Sequence, residues 1–183
     1  PSDSVPAVPA EAAATGEVPV LQDTTPRRRP RAIEYSDGYY TRLRIHQLAS
    51  YLTVPLFVAE YIDGQHLINN PGTRGFARDV HGPLAVSIAG LFAVNTVTGV
   101  MNLWEGRKDP NGRTRRWIHG LSMIVADAGF VAVGMTAPHH HRDPTTGARL
   151  PTDPSQARTH RDLAIGSMSL ALSSYLMMLI WKD

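Results

Sequence analysis

"VHGPLAVSIAGLFAVNTVTGVMNLW", residues 80–104, has no acidic or basic residue apart from His81. Such a stretch has the length of a membrane crossing, which takes about 20 predominantly apolar helical residues. A helix at the surface of a soluble bundle needs a polar face, and residues 80–104 offer almost none. A buried helix of a soluble bundle is therefore the weaker reading. Three more stretches pass the same test. Residues 45–62 run from Ile45 to Ile62, with Glu60 near the far end. Residues 117–138, Trp117 to Pro138, hold Asp127 as well as His119. Residues 163–181, Leu163 to Trp181, hold no acidic, basic or histidine side chain. The expected fold is all-α: an integral membrane four-helix up-down bundle over residues 42–183, behind a Pro/Ala-rich tail at 1–41.

Short connections make neighbouring spans antiparallel. Both termini and the segment 105–116, "EGRKDPNGRTRR", then share one side, and the loops at 63–79 and 139–160 share the other. Twelve of the 18 Lys and Arg residues fall on the side of the termini. The positive-inside rule puts that side in the cytoplasm. Trp104, Trp117 and Trp181 cluster at the same level, where amphipathic rings favour the interface. A multi-pass protein of a bacterial inner membrane is expected, with no cleavable signal peptide, since "RRRPR" rather than an apolar segment precedes the first span. The tail, 1–41, opens with "PSDSVPAVPAEAAATGEVPV". It is too poor in large apolar residues to fold alone and is expected to be disordered or held by a partner. There is no cysteine, which excludes thiolate metal centres and disulfides. A net charge of +2 gives no footprint for nucleic acid.

Each span begins with one histidine: "RLRIHQLASY", "RDVHGPLAV", "RRWIHGLSM" and "THRDLAIGS". His46 and His119 open spans 1 and 3, on the side of the termini. His81 and His160 open spans 2 and 4, on the other side. In an up-down bundle those helices are diagonal, so each level holds two imidazoles facing across the core. Two axial nitrogens on opposite faces of a macrocycle are what haem iron uses, and ionisable residues inside spans are costly and usually functional. Small residues near the histidines (Gly82, Gly120, Ala49, Ser50, Ala85, Ser122, Ala164) would leave room for a flat ligand. They are also common wherever membrane helices touch. Phe57, Phe92 and Phe130 each stand eleven residues after a histidine, with Ala171 at that spacing in span 4. These rings would pack between two levels set roughly 25–30 Å apart. "HQLASYLTVPLFVA" (46–59) aligns without gaps with "HGLSMIVADAGFVA" (119–132), so the chain reads as two related helical hairpins. Asp127, Asn95, Ser173 and Thr53 fall at one depth, and Asp127 is expected to bond within that belt. His66 and the run His139, His140, His141 offer further polar groups on the side of the loops.

The histidine pattern resembles the cytochrome b561 superfamily, including four-helix bacterial di-haem cytochromes b. The likeness covers residues 42–183, in topology and ligand placement. It implies two b-type haems, one held by His46 and His119 and the other by His81 and His160. It also implies transmembrane electron transfer, with a quinone as a further cofactor near one face. A c-type cytochrome, the quinone pool or other membrane subunits of a respiratory or photosynthetic complex would be the partners. The family's extra outer helices and an ascorbate-site motif are missing. The chain would be an electron-transfer cytochrome or an oxidoreductase subunit. Two other readings use the same residues: a haem-free accessory or anchoring subunit, and a transition-metal transporter using the histidines and Asp127.

Overall fold

The computed structural model describes residues 33–70, 75–138, 143–147 and 153–181. All the regular elements among them are helical: α1, Asp37–Asn69; α2, Phe76–Glu105; a 3₁₀ turn, Gly106–Lys108; α3, Arg113–Met135; and α4, Pro154–Ile180. Residues 1–32 and the three histidines at 139–141 lie outside the described residues, so expectations for them rest on the sequence alone.

Local chemistry sets the helix ends. Ser36 caps α1, its hydroxyl accepting from the Tyr39 N–H, and Asp37 places a negative charge in the first turn, where the helix dipole favours it. Asp153 caps α4 through the Ser155 N–H and is followed by Pro154, a residue suited to the first helical position because it has no N–H to lose. Between α2 and α3 the chain turns through Gly112 at φ 62°, a left-handed conformation that suits glycine. Arg116 clamps that turn by donating to the carbonyl oxygens of Gly106 at 3.2 Å and Asp109 at 2.9 Å.

α1 packs along α2 and α3 along α4, with sparser contacts between α2 and α3 and between α1 and α4. The ring order 1-2-3-4 therefore makes two hairpins and leaves α1 diagonal to α3 and α2 diagonal to α4. Only a few apolar side chains are buried, among them Phe57, Ile88, Phe92 and Ala126, alongside buried Thr53, Glu60, Asp63, Asn95, Thr98, Asn102, Ser167 and Ser174. Large apolar side chains stand outside instead: Leu48, Leu52, Val58 and Ile62 on α1, Val86 and Val97 on α2, Leu121 and Val131 on α3, Leu179 on α4. A small, partly polar interior under an apolar exterior is the arrangement lipid favours, because lipid tails accept apolar side chains as readily as a core does.

α2, α3 and α4 are long and apolar enough to cross a membrane. The expectation of four such spans is met by three. α1 is long enough, but Glu60 and Asp63 and the polar residues His46, Gln47, Ser50, Tyr51 and Thr53 lower its mean hydropathy. α1 also begins at Asp37, ahead of the boundary at 41/42 read from composition. The segment before it folds onto the α2–α3 turn. Ser36 donates through its N–H, at 2.9 Å, and its hydroxyl, at 2.7 Å, to Glu105. Arg42 pairs with the same carboxylate and donates to Asn102 Oδ1 at 2.9 Å.

Tyr35 donates to Asp109 Oδ2 at 2.5 Å. Burial, then that bond, then the Asp109 charge push the phenol up to about 12 from an ordinary 10. A raised folded-state pKa means the proton is held more tightly in the fold. The stabilisation is thus complete below pH 10 and is lost as the pH rises from about 10 to about 12. Tyr35→Phe is expected to reduce the loss of thermal stability over that alkaline window, and to remove one late-titrating phenol from an ultraviolet titration.

Candidate functional site

The diagonal packing brings the four histidines together in two pairs. The ring centroids of His46 on α1 and His119 on α3 are 6.1 Å apart, with ring planes at 84°. Those of His81 on α2 and His160 on α4 are 6.3 Å apart, at 71°. All four side chains are partly buried. His119 and Val133, whose carbonyl meets His160, are fourteen residues apart on α3, which puts the two levels about 21 Å apart along the helix. This is less than the spacing expected from span length, and α4 gives the same count, since His160 and the His119 partner Ser174 are also fourteen residues apart.

The Nδ1 partners fix each ring. His46 Nδ1 lies 3.1 Å from the Asn95 carbonyl oxygen and 3.2 Å from Thr98 Oγ1. The Thr98 hydroxyl already donates to the Val94 carbonyl at 2.7 Å, so toward His46 it accepts. His119 Nδ1 lies 2.9 Å from Ser174 Oγ, and that hydroxyl donates to the His119 carbonyl at 3.4 Å. His160 Nδ1 lies 2.9 Å from the Val133 carbonyl oxygen. A carbonyl oxygen can only accept, so the proton sits on Nδ1 and the Nε2 lone pair is left free. Metal-ligating histidines are commonly held in this way. His81 differs: its Nδ1 stands 3.1 Å from Glu60 Oε1 and 3.6 Å from Asp63 Oδ2.

Bis-imidazole ligation of one iron fits these pairs. Two nitrogens each about 2 Å from a metal hold their ring centroids roughly 6 Å apart. Glycine supplies clearance, although at Gly99 rather than at the residues following the histidines. A Cβ on Gly99 would stand 3.1 Å from His46 Cε1, whereas one on Gly120 would meet Leu103, and one on Gly82 would meet nothing within 4 Å. A cavity of about 30 Å³ adjoins His46 and His119, with Ser50, Asn95, Met123 and Tyr175 also in its lining. A macrocycle is far larger than this cavity.

Between the two levels the phenylalanines meet as the spacing predicts. The ring centroids of Phe57 and Phe92 lie 5.7 Å apart, those of Phe57 and Phe130 5.7 Å, and those of Phe92 and Phe130 4.7 Å. The Asp127 expectation needs correction. Its carboxylate accepts from Thr96 Oγ1 at 2.5 Å, while Thr53 bonds to its own helix at the Ala49 carbonyl. Depth is readable from a count along the sequence. Direction around the helix is what selects Thr96 over its neighbour Asn95.

The sequence reading missed Glu60 and Asp63 as partners of His81. Their spacing of one helical turn was the available signal. Together Glu60, Asp63 and His81 place three ligand atoms within 4.8 Å of one another, a set that could also hold a metal ion. No family model, curated protein or solved structure matches this chain.

Proposed function

We propose that this protein carries electrons across a membrane through two b-type haems. His46 and His119 would be the axial ligands of one, and His81 and His160 those of the other. The observation that carries this reading is the pairing of four imidazoles at two levels, with His46 and His160 each donating through Nδ1 to a backbone carbonyl and so keeping a free Nε2 lone pair. Haem, when bound, supplies reversible one-electron chemistry. The chain's part is to fix two iron positions, keep them apart by about 21 Å of helix, and exclude water between them with the phenylalanines.

In this reading α1 crosses the bilayer with α2, α3 and α4, its polar atoms turned inward and Leu48, Leu52, Val58 and Ile62 turned to lipid. The excess of Lys and Arg beside the termini supports placing them in the cytoplasm of a bacterium. A cavity of about 540 Å³ between α1 and α2 at the opposite end has apolar walls, including Ile62, Val80 and Leu84, and includes Asp63 and His66. Its apolar lining with a few polar groups has the character of a small-molecule site and suits a quinone headgroup exchanging electrons there. A c-type cytochrome or another membrane subunit is the other class of partner.

The test is a reduced-minus-oxidised spectrum of the full chain purified in detergent, with haem quantified per chain. Two b-type haems per chain are expected. A colourless preparation that takes up no added haemin would overturn the proposal and favour an accessory subunit.

A further inference from the structure

Glu60 and Asp63 make the two histidine levels chemically unlike. At the level of His46 and His119 every Nδ1 partner is neutral: the Asn95 carbonyl, Thr98 and Ser174. His160, at the other level, also meets a neutral carbonyl, that of Val133. Of these four histidines, His81 is the one whose Nδ1 stands within 4 Å of carboxylate oxygens. Both acids are buried, Glu60 at 8% exposure and Asp63 at 9%. Glu60 Oε2, Asp63 Oδ2 and His81 Nδ1 are all buried without a well-aligned hydrogen-bond partner, so His81 and the two carboxylates meet as an ion-pair approach at 3.1 and 3.6 Å.

Among the described residues, Arg161, Asp162, His66, Arg42 and Glu105 leave this asymmetry standing. Arg161, beside His160, faces the exposed Asp162 at 3.4 Å, and His66 lies one turn beyond Asp63 on α1. At the opposite end Arg42 and Glu105 neutralise each other.

We propose that Glu60 and Asp63, acting through His81, hold the midpoint potential at the His81–His160 level below that at the His46–His119 level. This inference rests on the haem reading above. A carboxylate bonded to the outer nitrogen of a ligating imidazole raises the basicity of the inner one. A fixed negative charge in a low dielectric also favours the oxidised, more positive state of the centre it faces. Both effects act in the same direction and at one level only. Were haem held at both levels, a single electron shared between them would rest at equilibrium on the His46–His119 level, the His81–His160 level being left oxidised. No bond is made or broken. Glu60 and Asp63 are positioning residues in this scheme, since they touch the ligand and not the iron.

The experiment is an optical redox titration of the full-length protein in lipid nanodiscs, wild type beside Glu60→Gln and Asp63→Asn. Wild type should titrate in two components. Either variant should raise the lower component by at least a factor of ten in the equilibrium between the two centres, 59 mV for one electron. The upper component should stay where it is. Electron paramagnetic resonance should show bis-imidazole ligation kept, so that a shift reports tuning and not a lost ligand. Two haems whose potentials ignore both substitutions, or a shift confined to the upper component, would overturn this inference and leave the haem reading intact. Protein that binds no haem overturns both.

Discussion

His46→Ala and His119→Ala should each lower the haem content from two per chain to one. The surviving haem should be the same in both variants, with the same spectrum and midpoint potential. The reason is geometric. The two imidazoles are the facing pair of one level, 6.1 Å apart, and either alone leaves an iron with one axial nitrogen. The other level is about 21 Å away along α3 and shares no ligand with it. His81→Ala and His160→Ala should remove the complementary haem. Haem quantified per chain, with the spectrum of the residual species, decides the matter. Loss of both haems in His46→Ala, or of neither, would contradict the independent levels. Thr98→Val should be milder, because His46 Nδ1 keeps the Asn95 carbonyl.

The second large effect is expected within the α3–α4 hairpin. A Cβ on Gly129 would come within 2.2 Å of Ser167 Oγ and 3.1 Å of Ser167 Cβ. No rotation of the serine clears both contacts, so Gly129→Val must push α3 and α4 apart. Overpacking of this kind costs about 1–3 kcal/mol and at times more. The displacement would reach His160, two turns from Ser167 on the same helix, and should weaken haem retention at that level first. Thermal unfolding in detergent, followed by helical circular dichroism, measures the cost. Gly134, also on α3, has nothing within 4 Å of its added Cβ. Gly134→Ala should therefore be neutral or stabilising, since alanine is the better helix former by about 1 kcal/mol. The pair Gly129→Ala with Ser167→Gly should recover most of what Gly129→Ala alone loses, as coupled neighbours do.

How much of this was legible in the sequence depends on the kind of information needed. Apolar runs reveal α2, α3 and α4 directly, and the histidines at their starts set the two levels. Helical spacing alone places Phe57, Phe92 and Phe130 together. What a linear count does not carry is direction around each helix. It put Asp127 at the right depth but could not choose Thr96. It pointed to Gly120 for clearance when the glycine facing His46 is Gly99, on a different helix. Glu60 read as a charge near the end of a span because its partner His81 comes from the next helix. α1 was under-read at both ends, since its first two turns are polar and are held by contacts across the chain, Ser36 and Arg42 to Glu105.

The three phenylalanines have a consequence for the membrane itself. Polar side chains line the bundle toward both of its ends, Asn95 and Thr98 at one and Glu60 and Asp63 at the other. In a bilayer, files of solvent entering from the two sides would be barred from meeting by a dry plug of stacked benzyl rings. Such a constriction blocks conduction by dewetting. Spanning a bilayer as proposed, the protein could be wet at both mouths and still hold an ion gradient.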